Sequence, residues 1–212
     1  MERHGGNVVA FAEAMRCGVD EVIDLSSNIN FVRPKLDVDF NTLDVSAYPN
    51  YKKLSNSIAQ RYAIEASNIE LFNGATVGIH TLFRGLRELG LNHCSLYAPL
   101  YGEYASSAKT FGYEIELVNR FENIEDEVQE NSLVIFVNPS TPDGAFYDIE
   151  ALMQRWIAQG CTILIDESFL DFTPYHSAIA YIEHYDKLYL IPKCLGRGGV
   201  LSIERGIEGT MV

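Results

Sequence analysis

The sequence predicts an α/β domain in which a mostly parallel sheet is flanked by helices. From about residue 70 onward, segments with helical periodicity alternate with short apolar runs, which is typical of parallel strand and helix repeats. The run at 133–137 is apolar throughout and bounded by turn-forming residues, as expected for a strand buried on both faces. The length of 212 residues suits one large domain, with or without a small appendage.

The individual elements follow from hydrophobic periodicity and end signals. Residues 76–89 place apolar side chains largely on one face of a helix, and another helix is predicted at 103–111. A third is predicted at 148–159, with Asp148 as its N-cap and Gly160 closing it. The predicted strands are 94–98, 114–118, 133–137, 162–165 and 187–191.

Composition and charge exclude several classes of function. A formal net charge of -13 argues against nucleic acid or an anionic membrane as partner, because neutralising phosphates requires clustered Lys and Arg. The four cysteines lie far apart, which predicts neither a disulfide framework nor a metal site and fits a reducing, cytoplasmic compartment. The first residues are charged and no long apolar run follows, so no secretory signal or membrane span is expected.

Chemically interesting residues come directly after predicted strands: Tyr101, the 138–144 turn and Asp166. Because ligands of open α/β sheets bind beyond the carboxyl ends of the strands, we expect these groups to converge on one crevice. Asp166 ends a buried strand, where an acid can be a metal ligand, a helix cap or the partner of a buried cation. A fourth role is to hold the protonated pyridine nitrogen of a cofactor.

Three other segments each allow a binding and a structural interpretation. The helix start at 73–76 offers free backbone N–H groups and a helix dipole to a phosphate, or is an ordinary N-cap after a turn. Tyr101 can lie flat over a ring, or is a half-buried surface tyrosine. The 138–144 turn, NPSTPDG, can hold donors rigidly beside a ligand oxygen, or is a plain tight loop.

In their order along the chain, these segments resemble the fold-type I aminotransferases of class I/II, which depend on pyridoxal 5′-phosphate (PLP). The likeness is to the branch that holds histidinol-phosphate aminotransferase and threonine-phosphate decarboxylase. It is carried by HGGN at 4–7, DLSSNIN at 24–30, AYPNY at 47–51, NGAT at 73–76, PLYGEY at 99–104, the 138–144 turn and DE at 166–167.

The resemblance implies a role in cofactor binding for each matching residue. Ala75 and Thr76, with Gly74 before them, would bind the cofactor phosphate. Tyr101 would stack on the pyridine ring as a catalytic group, and Asp166 would hold the ring nitrogen.

The resemblance also implies a shared site and a catalytic lysine. Tyr48 would reach the phosphate in a neighbouring subunit, which implies a homodimer. Asn28 and Asn30 would lie on the substrate side. Lys193 would form the aldimine with the cofactor and carry the proton at the substrate α-carbon.

The sequence departs from the family pattern at four positions. Thr141 stands where the family has an asparagine that donates to the cofactor phenolate oxygen, and Phe169 stands where a tyrosine often does so. Pro192 directly precedes Lys193 in place of a serine-containing spacer. Leu201 stands where an arginine follows the lysine by two helical turns.

Together these observations predict an N-terminal arm and loop at 1–45, an incomplete PLP-binding large domain at 46–193 and an atypical tail at 194–212. The family's C-terminal small domain is expected to be missing. The predicted function is a PLP-dependent aminotransferase acting on a small amino acid, phosphorylated or not. A threonine-phosphate decarboxylase-like activity and a truncated, non-catalytic domain remain alternatives. A nucleotide-binding protein is disfavoured, because no GxGxxG run opens a helix.

Overall fold

The computed structural model describes residues 6–26, 39–42, 44–48, 50–141, 143–182, 184–192 and 200–203. The chain divides into two units, Met1–Pro49 and Asn50–Val212. In the first unit, helix α1 (Val8–Met15) begins after Asn7, whose side-chain oxygen accepts the N–H of Ala10 at 3.2 Å. Within the described ranges, no helix is long and apolar enough to cross a membrane.

The second unit is built on one sheet with the strand order β1-β7-β6-β5-β4-β2-β3. Strands β2 to β6 pair in parallel, whereas β7 runs antiparallel to both of its neighbours, so that β1 points in the same direction as β6. The strands are β1 Ile69–Phe72, β2 His93–Ala98, β3 Glu114–Asn119, β4 Leu133–Val137, β5 Thr162–Asp166, β6 Leu188–Ile191 and β7 Val200–Ile203.

Helices cover both faces of this sheet. The helices are α2 Lys52–Tyr62, α3 Ala75–Glu88, α4 Gly102–Thr110 and α5 Glu150–Ala158. Buried side chains of α3 and α4 form one apolar cluster with the sheet, and those of α2 and α5 form the other. The central strands β4, β5 and β6 are buried along their whole length, as expected for parallel strands that lie between two helical layers.

The alternating direction of the side chains along β5 decides on which face of the sheet each of its last residues lies. Ile163 and Ile165 belong to the α5 cluster, and Leu164 belongs to the α3 and α4 cluster. Because successive side chains of a strand point to opposite faces, Asp166 lies on the same face as Leu164. Glu167 lies on the same face as Ile165. Two neighbouring carboxyl groups are thereby directed to opposite sides of the sheet.

The predicted α/β class, with a mostly parallel sheet flanked by helices, is confirmed. The five predicted strands and the helices at 76–89 and 103–111 agree with the structure to within one residue, and α5 to within two. The N-cap of α5 is Ile149 rather than Asp148, although Asp148 Oδ1 still accepts the N–H of Glu150 at 3.2 Å. Strands β1 and β7 were not predicted, and β7 lies in the segment expected to be a tail.

Candidate active site

The ends of three parallel strands meet around Asp166. The N–H of Asn138, the first residue after β4, donates to the carbonyl oxygen of Asp166 at 2.8 Å. The N–H of Glu167 donates to the carbonyl oxygen of Ile191, the last residue of β6, at 2.8 Å. The first residue of the turn after β4 and the end of β6 are therefore both direct backbone neighbours of the strand end at Asp166 and Glu167.

The carboxylate of Asp166 is fixed by three donors. Its Oδ2 atom accepts from the Tyr104 hydroxyl at 2.6 Å, and its Oδ1 atom accepts from the N–H and the hydroxyl of Ser168, at 2.9 and 2.6 Å. Asp166 is 6% exposed. Burial, and then the neighbouring Asp166, raise the pKa of Tyr104 well above its usual range, so this hydroxyl keeps its proton and acts as the donor.

Tyr101 lies directly before α4, one helical turn from Tyr104. Tyr101 is 38% exposed, and its ring meets the Tyr104 ring edge-on, with the centroids 6.2 Å apart and an interplanar angle of 85°. Tyr104 therefore contacts both the aromatic residue and the acid that the sequence predicted for the ring of a cofactor.

The start of α3 provides the geometry of an anion site. Gly74 precedes the helix with φ of +100°, a conformation that favours glycine, and a Cβ atom placed there would have no neighbour within 4 Å. The first backbone bond of the helix runs from Gly78 N to Gly74 O, so the N–H groups of Ala75 and Thr76 precede the intrahelical ladder. Open space and donors thus occur together at this helix start.

Two contacts locate the first two turns of α3. His80 Nε2 in α3 lies 3.7 Å from Glu103 Oε2 in the first turn of α4, directly after Tyr101 and Gly102. At Gly78, an added Cβ atom would lie 3.1 Å from the Phe72 ring, so α3 packs closely on the end of β1. The second turn of α3 is consequently a neighbour of the first turn of α4.

The turn after β4 is closed by its own hydrogen bonds. The Asn138 side chain pairs with the backbone of Tyr147, donating to its carbonyl at 3.0 Å and accepting its N–H at 2.9 Å. Ser140 N donates to Ala145 O, and Gly144 N donates to Ser140 O, both at 2.8 Å. Thr141 is held, half-buried, within this loop.

A buried arginine ties this turn to the one after β2. Arg120 is 1% exposed, and its guanidinium donates to Tyr97 O at 2.7 Å and to Val137 O at 3.2 Å. Its guanidinium carbon also lies 5.1 Å from the centroid of the Phe136 ring. Since Tyr97 and Val137 stand just before the segments that carry Tyr101 and Thr141, Arg120 fixes the spacing of the two segments.

Comparison with known families agrees with this arrangement. A model of the family "Aminotransferase class I and II" matches residues 21–192. The chain belongs to this family. Its curated relatives include histidinol-phosphate aminotransferase 2 of Idiomarina loihiensis, which is 27% identical over 206 residues, with 89% of this chain and 57% of the relative covered. Threonine-phosphate decarboxylase of Salmonella typhimurium is 25% identical, with 89% and 59% covered.

Solved structures show the same aminotransferase fold. L-threonine-O-3-phosphate decarboxylase from Porphyromonas gingivalis superposes with a TM-score of 0.66 at 18% identity, over 74% of this chain and 50% of that one. Histidinol-phosphate aminotransferase from Clostridium acetobutylicum superposes with a TM-score of 0.61 at 24% identity, over 75% and 52%. The chain thus spans about half the length of the aminotransferase-family proteins that it matches.

Four predicted residues are not part of the geometry described above. Lys193, Asn28 and Asn30 lie outside the described residues. Tyr48 belongs to the first unit and is 98% exposed. Their roles in this member of the aminotransferase family stay predictions.

Sequence reasoning gave no role to three residues that complete the site. Two of them could have been found from local sequence spacing. Tyr104 lies one helical turn beyond Tyr101, and Ser168 lies two residues after Asp166, where its side chain and backbone N–H can both donate to the carboxylate. Arg120 had no such local signal, because its acceptors are backbone carbonyls of two strands that are distant in the sequence.

Proposed function

We propose that this chain is the PLP-binding large domain of an aminotransferase whose substrate is a small amino acid or amine that carries a phosphate. The observation that supports this best is the carboxylate of Asp166, buried at a strand end and next to an aromatic pair. PLP, when bound, supplies a pyridine ring that takes up negative charge from the substrate α-carbon.

The described residues fit such a cofactor. Asp166 would accept a hydrogen bond from the protonated ring nitrogen. Tyr104 and Ser168 donate to its two oxygens and thereby hold the carboxylate in a fixed orientation as an acceptor. Tyr101 is exposed enough to cover one face of the ring. Ala75 and Thr76 would bind the phosphate with their N–H groups, in the space that Gly74 leaves open. Thr141 would lie beside the phenolate oxygen.

Lys193 is our candidate for the lysine that binds the cofactor covalently and moves the proton at the substrate α-carbon. It follows by two residues the end of β6, where Ile191 is in register with Asp166. We also propose a cytoplasmic homodimer with Tyr48 serving the partner's site, and Asn28 and Asn30 on the substrate side. These assignments rest on the family resemblance.

A phosphorylated substrate is proposed because the relatives include enzymes named for histidinol phosphate and threonine phosphate. The two differ in the bond that is broken at the α-carbon, and the groups that hold PLP can serve both. Decarboxylation of a phosphorylated amino acid is therefore the second candidate, favoured by the structural similarity to L-threonine-O-3-phosphate decarboxylase.

A PLP titration of the purified chain tests this proposal. We expect saturable binding with a shift in the absorbance of PLP, and covalent label on Lys193 after borohydride reduction and peptide mapping. Asp166→Ala should weaken binding at least tenfold, on the order of one hydrogen bond to a charged group. Asp126→Ala, which removes an exposed aspartate in the loop before β4, is the control.

Each outcome separates the alternatives. Label on Lys193 supports a catalytic domain, and saturable binding with no lysine labelled supports a domain that only binds the cofactor. Equal binding by wild type, Asp166→Ala and Asp126→Ala would refute the assignment of Asp166. Absence of any saturable binding would refute the proposal as a whole.

A further inference from the structure

We infer that Tyr104 is a positioning residue that aims the Asp166 carboxylate at the pyridine nitrogen of the cofactor. The inference rests on the proposed function, in which Tyr104 has no role so far. Tyr104 is fully buried and therefore acts through Asp166 rather than by touching the substrate.

The first argument is the hydrogen-bond geometry of the acid. A carboxylate on a free side chain can rotate about its last bond, and each donor on a fixed frame removes part of that freedom. Ser168, which is local to Asp166, holds Oδ1. Tyr104 is 62 residues away in sequence and holds Oδ2 at 2.6 Å, so it fixes the carboxylate plane relative to α4 and not only to its own loop.

The second argument is the way in which Tyr104 itself is fixed. Its ring lies in the apolar cluster between the sheet and the helices α3 and α4, with no exposed surface. The same ring meets Tyr101 edge-on at 6.2 Å. A single rigid side chain thus sets the relative positions of the acid and the aromatic residue that would bind the same cofactor ring.

The direction of the hydrogen bond supports this role. The Tyr104 hydroxyl cannot serve as a base here, because burial and the neighbouring Asp166 raise its pKa well above its usual range. It remains a donor to Oδ2 throughout the pH range in which proteins work. The contact therefore constrains the orientation of the acid without exchanging a proton with it.

The test compares PLP with 1-deaza-PLP, in which a C–H group replaces the ring nitrogen. The ratio of their dissociation constants reports the interaction of Asp166 with that nitrogen, and it is measured by fluorescence titration without any turnover. For the wild type we expect PLP to bind roughly 10- to 100-fold more tightly than the deaza compound, as for one hydrogen bond to a charged group.

Tyr104→Phe keeps the ring and removes only the hydroxyl. We expect the preference for PLP to fall by about tenfold, at the lower end of the range for losing a partner that orients a metal-binding side chain. Affinity for the deaza compound should change much less. A purely structural role of Tyr104 would weaken both compounds equally and leave their ratio unchanged, and that result would overturn the inference.

A matched control is available in the same apolar cluster. Tyr113 is 7% exposed, and its hydroxyl donates to the carbonyl oxygen of Phe83 at 2.7 Å. Tyr113→Phe removes the same atom from the same layer but has no contact with Asp166, so the ratio should keep its wild-type value. A similar fall in Tyr113→Phe would contradict a specific role for Tyr104.

A second variant covers the case in which Tyr104→Phe does not fold. Ser168→Ala removes the hydroxyl that donates to Oδ1 and leaves the backbone donor in place. It should lower the PLP preference in the same direction, and an unchanged ratio would overturn the idea that donors aim the acid. If the wild type binds both compounds equally, Asp166 does not meet the ring nitrogen, and the assignment of Asp166 fails together with the inference, whereas absence of PLP binding would refute the proposed function itself.

Discussion

The stability of the second unit should depend on pH through Glu167, the residue after Asp166. Glu167 is 3% exposed, with Oε2 accepting from the Ser177 hydroxyl at 2.5 Å and Oε1 accepting from the N–H of Ala178 at 2.6 Å. It thereby caps the short 3₁₀ helix Ala178–Tyr181. Burial, despite these two donors, raises the pKa of Glu167 from 4.5 to about 7, with the charge of Asp166 acting in the same direction.

The sign and size of the effect follow from proton linkage. Between pH 4.5 and 7 the folded chain retains the Glu167 proton, whereas the unfolded chain has released it. The contribution to stability is therefore fully present below about pH 4.5 and is lost as the pH rises to about 7. At about 1.4 kcal/mol for each tenfold difference in proton affinity, the loss amounts to roughly 3 kcal/mol.

Urea unfolding of the wild type and Glu167→Gln at pH 4.5, 6 and 7.5 measures this contribution. Glutamine has no ionisable proton, so the difference in unfolding free energy between the two proteins should change by roughly 3 kcal/mol across the series, with the variant gaining relative to the wild type as the pH rises. Glu88→Gln removes an exposed carboxylate from α3 and controls for the change in net charge. If the difference in unfolding free energy between the wild type and Glu167→Gln stays constant with pH, the burial of this carboxyl group is refuted.

Three further substitutions test contacts around the site. Arg120→Met should lower the free energy of unfolding by about 2–4 kcal/mol, because the carbonyls of Tyr97 and Val137 lose their buried donor. Urea unfolding measures this loss, and an unchanged midpoint would contradict it. Tyr97→Phe should cost about 1–3 kcal/mol in the same assay, since the indole N–H of Trp156 loses its acceptor at 3.0 Å, and a loss below that range would indicate that the indole finds another acceptor. Thr141→Asn introduces the longer donor that the family resemblance implies at this position. It should tighten PLP binding up to about tenfold in a fluorescence titration. Weaker binding by this variant would place Thr141 away from the phenolate oxygen.

The part of the fold that could be predicted from sequence is the part with local signals. Strands β4 and β5 are continuous apolar runs, and α3 has a clear apolar face, so their positions follow from periodicity. Strand β1 has four residues, one of them charged, and β7 pairs with it from the other end of the chain. Nothing local distinguishes such strands from loops, because pairing across more than 100 residues stabilises them.

The candidate site divides in the same way. The order of strand ends predicted that Asp166 and the 138–144 turn would lie close together, and a backbone hydrogen bond joins Asn138 to Asp166. Ser168 lies two residues from Asp166 and had a local signal. The contact of the Tyr104 hydroxyl with Asp166 and the clamp formed by Arg120 could not be predicted with the same means. They depend on side chains that cross from one strand end to another, where the distance is set by the twist and spacing of the sheet.

The two acids at the end of β5 show how strictly the strand register controls this site. Asp166 and Glu167 are adjacent and both nearly buried, yet one is held by Tyr104 on the α3 and α4 face and the other by Ala178 on the opposite face. A shift of one residue in the pairing of β5 with β4 and β6 would exchange their environments. The longer acid would then meet a tyrosine placed for the shorter one, and the shorter acid would have to reach the Ser177 hydroxyl and the Ala178 N–H with one methylene fewer. The continuous apolar run that precedes Asp166 does not select one register by its polarity, because it is apolar on both faces. Backbone hydrogen bonds such as those from Asn138 to Asp166 and from Glu167 to Ile191 can form in either register. The side-chain contacts of Tyr104 with Asp166 and of Ser177 with Glu167 therefore decide which acid serves which face.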